Sequence, residues 1–326
     1  MKALQFVGVG QPLELNDVPE PTPEPGWVVV EVVAAGLCHS DLHILHGPGA
    51  AWLDHIPITL GHEVAGTVSA LGEGVTGFRI GQRVGVGLVS DLSEGPGGSF
   101  MGSAPGVAVD GGYGEKIVAH ASSLVPIPEG VSYAAAAVAT DSTTTAYHAV
   151  RTSGRVRAGM VIGVIGLGGL GLNAVRVADI LGAVVYGVDV NAGTFDDARK
   201  LGARDCFTGV ADLKSLEPEV IIDFAGTGVT TAEAIETVRP RGRVVLVGLG
   251  AQTTSFATDQ LVTRRVELCG SLGSDSNEEL REVYDLIAAG EIEPIIEEIP
   301  FADVPEGLAR LERGVVRGRL VTCPRG

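Results

Sequence analysis

Residues 161 to 172 read VIGVIGLGGLGL, an apolar β-type run that passes into three spaced glycines and then into a segment of helical periodicity, GLNAVRVADILG. Gly166, Gly168 and Gly171 stand in G-x-G-x-x-G spacing between that strand and that helix. Such a unit is a dinucleotide-binding turn: the first glycine permits the tight turn, the second lets backbone approach a pyrophosphate, and the third packs helix on strand. Leu167, Gly169 and Leu170 complete the turn, and the helix N-terminus adds N–H groups and partial positive charge. The next strand, VVYGVDV, ends in Asp189, and no Arg or Lys follows until Arg199. A carboxylate there accepts hydrogen bonds from both adenosine ribose hydroxyls and repels a 2′-phosphate, so NAD is expected rather than NADP. An ordinary strand-to-helix turn explains the glycines alone; strand, helix and Asp189 in register point to a dinucleotide.

The surrounding text supports this. From about Met160, strand-like runs (VIGVIG, VVYGVDV, VIIDFAG, RVVLVGLG) alternate with helical segments such as TTAEAIETVRP, the pattern of a doubly wound parallel sheet. From Met1 to about Val125 the runs are short and β-type, such as WVVVEVVAAG and EVAGTVSALG, punctuated by Gly, Pro and Asp, which predicts a compact antiparallel β domain. After about Asp275 a helix, NEELREVYDLIAAG, and a strand, GRLVTCP, are expected to return to that first domain. A chain of 326 residues accommodates two cores. The expected partition is residues 1–142, a cofactor domain over 143–275, and a return segment over 276–326. The Ala-rich stretch SYAAAAVATDSTTTAYHAV predicts a helix crossing between domains with Asp141 at the junction, a favoured place for ligands. The Gly/Ser/Pro-rich stretch 93–106 reads as a mobile surface loop.

With 40 acidic and 23 basic residues, a formal charge of -17 repels a phosphate backbone and an anionic membrane alike. Neither nucleic acid nor membrane is an expected partner. The N-terminus lacks a continuous apolar run and no later stretch offers a span, so a cytoplasmic protein is expected. Four cysteines in this length do not make a disulfide framework. Cys206, Cys269 and Cys323 are expected as small buried hydrophobes.

Cys38 differs by its neighbours. AAGLCHSDLHILHG gathers Cys38, His39, Ser40, Asp41, His43 and His46, and TLGHEVAGTV follows with His62 and Glu63. Thiolate, imidazole and carboxylate are zinc's ligands, and a catalytic zinc takes three of them with a fourth position open. Histidine clusters also arise on ordinary surfaces, so proximity alone leaves both readings standing. No role is apparent for His46, His55 or His120.

Across nearly the whole chain, GLCHSD, LGHEVAGTV, GGYGEKIVA, DSTTTAYHAV, VIGLGGLG, VIIDFAG and the final GRLV resemble the zinc-containing medium-chain alcohol dehydrogenases. The resemblance implies an α/β protein: a GroES-like β-rich catalytic domain plus a Rossmann doubly wound parallel-sheet cofactor domain. It implies one catalytic zinc, NAD, and reversible hydride transfer between a small alcohol, tilted toward secondary alcohols, and the cofactor to give a ketone or aldehyde. Cys38 and His62 match zinc ligands of the family. The third is commonly a cysteine where this chain has Asp141, and an acid also occurs there in some bacterial secondary-alcohol members. Thiolate plus carboxylate carries the same charge as two thiolates.

Glu63 matches a residue that sits behind the metal or coordinates it transiently. Asp41 matches an acceptor for the His62 ring, which would fix its tautomer. Ser40 matches the hydroxyl that takes the alcohol proton and passes it through the cofactor ribose toward His43. His39 faces cofactor or solvent, and Arg319 of GRLV matches a residue near the pyrophosphate. No cysteine lies between 39 and 205, so the four-cysteine lobe for a structural zinc is missing and none is expected. Trp52 and Leu53 either line an apolar pocket or simply pack. Pairing through the strand of RVELCGSLG would give a homodimer or homotetramer. Two rivals remain: a zinc-free NADPH quinone or enoyl reductase of the same superfamily, whose members lack the Cys and His ligands, and a non-catalytic dinucleotide-binding protein.

Overall fold

A computed structural model describes residues 1–88 and 103–325, and these divide into two compact units, Met1–Asp141 with Ser274–Gly326, and Ser142–Gly273. The first unit begins with β1 (Lys2–Phe6) and β2 (Glu14–Asp17), an antiparallel pair, followed by β3 (Trp27–Gly36). β3 is rich in β-branched residues, and seven of its ten positions are buried, so it serves as the central strand. It runs into α1 (His39–His46), then β4 (Ile58–Thr59), which pairs with β1, and β5 (Glu63–Leu71). β6 (Arg83–Val86), β7 (Lys116–His120) and β8 (Leu124–Pro126) complete this half, with β5 and β7 both antiparallel to β3. Val30, Val32, Val64, Val84, Ile117 and Leu124 form its core.

The Ala-rich stretch is helical. α2 (Tyr133–Val138), capped by Ser132 Oγ on Ala135 N at 3.1 Å, leads through a π-helical turn, Ala139–Thr143, into α3 (Thr144–His148) and a second π-helical turn, Ala149–Ser153. The division between units falls inside this run, after Asp141.

The second unit alternates β9 (Val161–Ile165), α4 (Gly169–Ile180), β10 (Val184–Val188), α5 (Phe195–Lys200), β11 (Ala203–Phe207), β12 (Val220–Asp223), α6 (Val229–Thr237), β13 (Arg243–Leu246), α7 (Thr258–Arg264) and β14 (Glu267–Gly270). Its six strands are all parallel, in the order β11-β10-β9-β12-β13-β14. That is the doubly wound order, whose ligand crevice lies past the carboxyl ends of the strands where the order reverses, here between β9 and β12.

The tail then rejoins the first unit. In α8 (Asn277–Ala288) Leu280, Val283 and Tyr284 are buried at helical spacing. β15 (Ile296–Pro300), α9 (Val304–Glu312) and β16 (Arg319–Cys323) follow, and β16 pairs antiparallel with the end of β3, Val321 opposite Gly36.

Two local expectations are corrected. Cys206 is buried, but Cys269 and Cys323 are partly exposed, because β14 is the sheet's edge strand and Cys323 closes β16. The stretch 93–106 lies outside the described residues up to 102, and its described end is not a surface loop: Ala104, Pro105 and Gly106 are buried. A β-carbon on Gly106 would stand 2.8 Å from Gly61 N, so this end packs against the backbone ahead of His62. Among the described residues no helix is long and apolar enough to cross a membrane.

Candidate functional site

The end of β3, the start of α1 and the start of β5 bring one cluster together inside the first unit. Cys38, His62, Glu63 and Asp141 each offer a ligand atom, and these atoms lie within 4.8 Å of one another. Cys38 is the N-cap of α1, and Asp41 in the first turn accepts a hydrogen bond from Cys38 N at 3.1 Å through Oδ2, the return half of a capping box. The spacing Cys-x-x-Asp is thus built by the helix start itself. Gly61, at φ +93°, turns the chain just before His62, and Gly36 opposes Glu63 across the β3–β5 pair. A β-carbon on Gly36 would meet Glu63 Oε2 at 1.9 Å, so only glycine leaves room for that carboxylate. Asp141 sits in the π-helical turn, an irregularity that recurs at functional sites.

Asp141 Oδ2 is 3.5 Å from Cys38 Sγ and 3.4 Å from His62 Nε2. Metal–ligand bonds of about 2.0–2.3 Å in tetrahedral array separate neighbouring donors by roughly 3.3–3.6 Å, so the two separations from Asp141 fit zinc, as does the chemistry of the three donors. Behind it, His62 Nδ1 and Asp41 Oδ1 face one another at 3.6 Å, buried and without a hydrogen-bond partner. The expected hydrogen bond between them is corrected to a longer approach, because Asp41 Oδ2 is taken by Cys38 N and by the Tyr113 hydroxyl at 2.7 Å.

Arg319 is 3% exposed and enclosed among these acids. Its Nε donates to Glu63 Oε1 and Oε2 at 2.9 and 3.1 Å, and its Nη2 lies 3.2 Å from Cys38 Sγ and 3.3 Å from Asp141 Oδ2. The antiparallel register of β16 on β3 carries it there. Burial pushes the Glu63 carboxyl upward, opposed by the Arg319 guanidinium. Burial would depress the His62 imidazolium, but Cys38, Asp141 and Asp41 outweigh it and hold that pKa well above its ordinary value.

Ser40 Oγ is 3.6 Å from Cys38 Sγ, at the cluster. His43, one turn along α1, is half-buried with its ring 6.2 Å from that of Trp52. Burial, and secondarily His46, holds His43 below the ordinary imidazole pKa. His39 is exposed at the first position of α1. Trp52 and Leu53 are partly buried and pack on the core of this unit.

In the second unit the glycines differ in what surrounds them. Gly166 has φ +85°, closed to most side chains. A β-carbon on Gly171 would lie 1.8 Å from Gly166 O, whereas one on Gly168 would meet nothing within 4 Å. Gly168 therefore borders open space at the N-cap of α4, where Gly169 and Leu170 begin the helix. Asp189 accepts from Leu167 N at 2.7 Å and from Asn191 N at 2.8 Å, which fixes its carboxylate at the turn. Arg199 is paired with Asp196 and Asp205. Open backbone at a helix start with an oriented acid one strand over fits NAD.

Two residues without an assigned role in the sequence reading stand out. Tyr113, inside GGYGEKIVA, touches Asp41. Asp223, ending β12, accepts from Ala225 N, Gly226 N and the hydroxyls of Thr230 and Thr231 at 2.8–3.0 Å, and so pins the loop beside Gly166. An acid closing an otherwise apolar strand, VIID, is the only sequence signal for the latter.

Residues 24–129 match the family described as alcohol dehydrogenase GroES-like domain, and residues 169–289 the family described as zinc-binding dehydrogenase. An alcohol dehydrogenase of Geobacillus stearothermophilus is 29% identical over 336 aligned positions, covering 98% of each chain. Among solved structures, acetophenone reductase from Geotrichum candidum in complex with NAD is 32% identical with a TM-score of 0.90, covering 99% of this chain and 96% of that one. The alcohol dehydrogenase of Aeropyrum pernix is 29% identical with a TM-score of 0.91, covering 99% and 100%.

Proposed function

The chain belongs to the zinc-binding medium-chain alcohol dehydrogenases, and on that premise we propose that it oxidises a small secondary alcohol to a ketone, reversibly, with NAD as hydride acceptor. The observation that carries this reading is the convergence of Cys38, His62 and Asp141 within 4.8 Å, with Asp141 at ligand spacing from both of the others. These three residues would hold one zinc, with Glu63 beside them. Bound there, zinc would supply Lewis acidity toward the alcohol oxygen, and NAD the carbon that accepts hydride. Thiolate plus carboxylate balances the metal's charge, so the ligand set requires no further anion.

The remaining work falls to the chain's own groups. Asp41 lies behind the His62 ring and orients it, so that Nε2 faces Asp141. Ser40 takes the proton released from the alcohol, and His43, three residues on and on the same face of α1, passes it toward solvent. His43 is held below its ordinary pKa and is therefore neutral and able to accept at neutral pH. Arg319 holds Glu63 in place against the cluster. The Gly166–Gly171 turn receives the pyrophosphate, and Asp189 the adenosine ribose.

The preference for a secondary alcohol is supported by the likeness to acetophenone reductase, whose named substrate is a ketone. β14 lies at the edge of the parallel sheet with Glu267, Leu268 and Gly270 exposed, and pairing of two such edges would give a dimer. The protein is proposed to work in the cytoplasm. Metal analysis combined with NADH formation from a panel of primary and secondary alcohols tests the reading. About one zinc per chain with faster turnover of secondary alcohols is expected. Metal-free protein that reduces enones with NADPH would overturn it in favour of a reductase, and NAD binding without turnover in favour of a binding protein.

A further inference from the structure

Tyr113 is fully buried, yet its hydroxyl is not spent on its own backbone neighbourhood. It donates to Asp41 Oδ2 at 2.7 Å, the same oxygen that accepts Cys38 N at 3.1 Å. Two donors thus hold Oδ2, and the other acceptor within reach of the hydroxyl, Gly36 O, is farther off at 3.4 Å, so turning the carboxylate would weaken the hydrogen bonding of both donors. Its other oxygen, Oδ1, is thereby left facing His62 Nδ1. Tyr113 also bears on the chain just ahead of that histidine. Its N–H donates to Leu60 O at 2.9 Å, and Gly112 N donates to Gly61 O at 2.7 Å. A β-carbon on Gly61 would stand 2.7 Å from Tyr113 Cδ1, so the ring lies directly against the backbone preceding His62.

We propose that Tyr113 is a positioning residue for His62, acting on its ring through Asp41 and on its backbone through Gly61. This rests on Cys38, His62 and Asp141 being the metal site. The hydroxyl sets which Asp41 oxygen meets the imidazole and how much of that acid's negative charge the imidazole feels, and both govern how strongly His62 holds a metal. The ring contact alone would be kept by phenylalanine; the hydroxyl would not.

The test is Tyr113→Phe, compared with wild type by the rate of zinc loss to a chelator, by the visible spectrum of the cobalt-substituted protein, and by the thermal midpoint of the metal-stripped protein. Zinc loss about tenfold faster is expected, the low end for partners behind a metal ligand, with a shifted cobalt spectrum and a metal-free midpoint close to wild type. A second comparison, Tyr113→Phe placed on Asp41→Asn, separates the route: little further change is expected, whereas an equal additional factor would show that the hydroxyl acts independently of Asp41 and overturn the proposal. Wild-type kinetics and spectrum in Tyr113→Phe would overturn it while leaving the metal site intact. A wild-type protein that takes up neither zinc nor cobalt would overturn the metal site itself, and this proposal with it.

Discussion

A β-carbon on Gly171 would stand 1.8 Å from the carbonyl oxygen of Gly166, while the same atom on Gly168, three residues earlier, would point into open space. The two glycines therefore answer different demands, one of the fold and one of the ligand. Gly171→Ala forces helix α4 off its turn and is expected to lower stability by about 2 kcal/mol or more and abolish NAD binding. Gly168→Ala is expected to leave the thermal midpoint almost unchanged and to weaken NAD binding by about tenfold, since the methyl group takes the pyrophosphate's approach. Thermal denaturation and NAD titration of the two variants check this. An intact NAD affinity in Gly168→Ala would place the pyrophosphate elsewhere.

Asp189 is held at the turn by Leu167 N and Asn191 N, with lone pairs left for two ribose hydroxyls. Hydrogen bonds to a charged group contribute about 1.5–3 kcal/mol each, so Asp189→Gly should cut the NAD over NADP preference at least about tenfold. The ratio of kcat/KM values for the two cofactors measures it. An unchanged ratio would show that other groups read the ribose.

Asp223 satisfies two backbone amides and two threonine hydroxyls at 2.8–3.0 Å from a fully buried position. Asp223→Ala strands those donors, and a loss of about 3 kcal/mol is expected in urea denaturation of the protein, with weaker NAD binding because the adjoining loop packs on Gly166. A denaturation midpoint like that of wild type would show that water replaces the carboxylate.

His43 has its pKa held below the ordinary imidazole value by burial and by His46. Lowering means that the ring sheds its proton at a more acidic pH, so the neutral, proton-accepting form persists through neutrality. Alcohol oxidation should accordingly lose its His43-dependent component only below about pH 6.5, the unperturbed value. His43→Gln should remove that acidic limb and slow oxidation on the order of tenfold, less than for a directly acting base because solvent partly substitutes. A pH–rate profile of both proteins decides it, and an acidic limb that survives in His43→Gln belongs to another group.

What could be read from the sequence was what is local. The strand–turn–helix around Gly166 announces itself because period and glycine spacing lie within twelve residues, and Cys38 with Asp41 share one helix start. The Ala-rich helix puts Asp141 at a domain junction, but its place as third ligand is legible only through the resemblance, since the chain must return from 103 positions away to place it on Cys38. The expectation for Arg319 concerns a pyrophosphate; its partner Glu63, 256 positions away and brought to it through the register of β16 on β3, has no sequence signal. Tyr113 reaches Asp41 across 72 positions. Side-chain partners of that kind depend on strand register and on bulges such as those between β3 and β5, which hydrophobic patterns do not specify.

The central claim is a single zinc held by a mixed shell of thiolate, imidazole and carboxylate. It is tested most directly by the zinc content of purified wild-type protein beside Asp141→Ala and Cys38→Ser. The wild type is predicted to hold about one zinc per chain and both variants to lose most of it, with alcohol-dependent NADH formation falling in step. A full complement of zinc in Asp141→Ala would contradict the assignment and move the third ligand to Glu63.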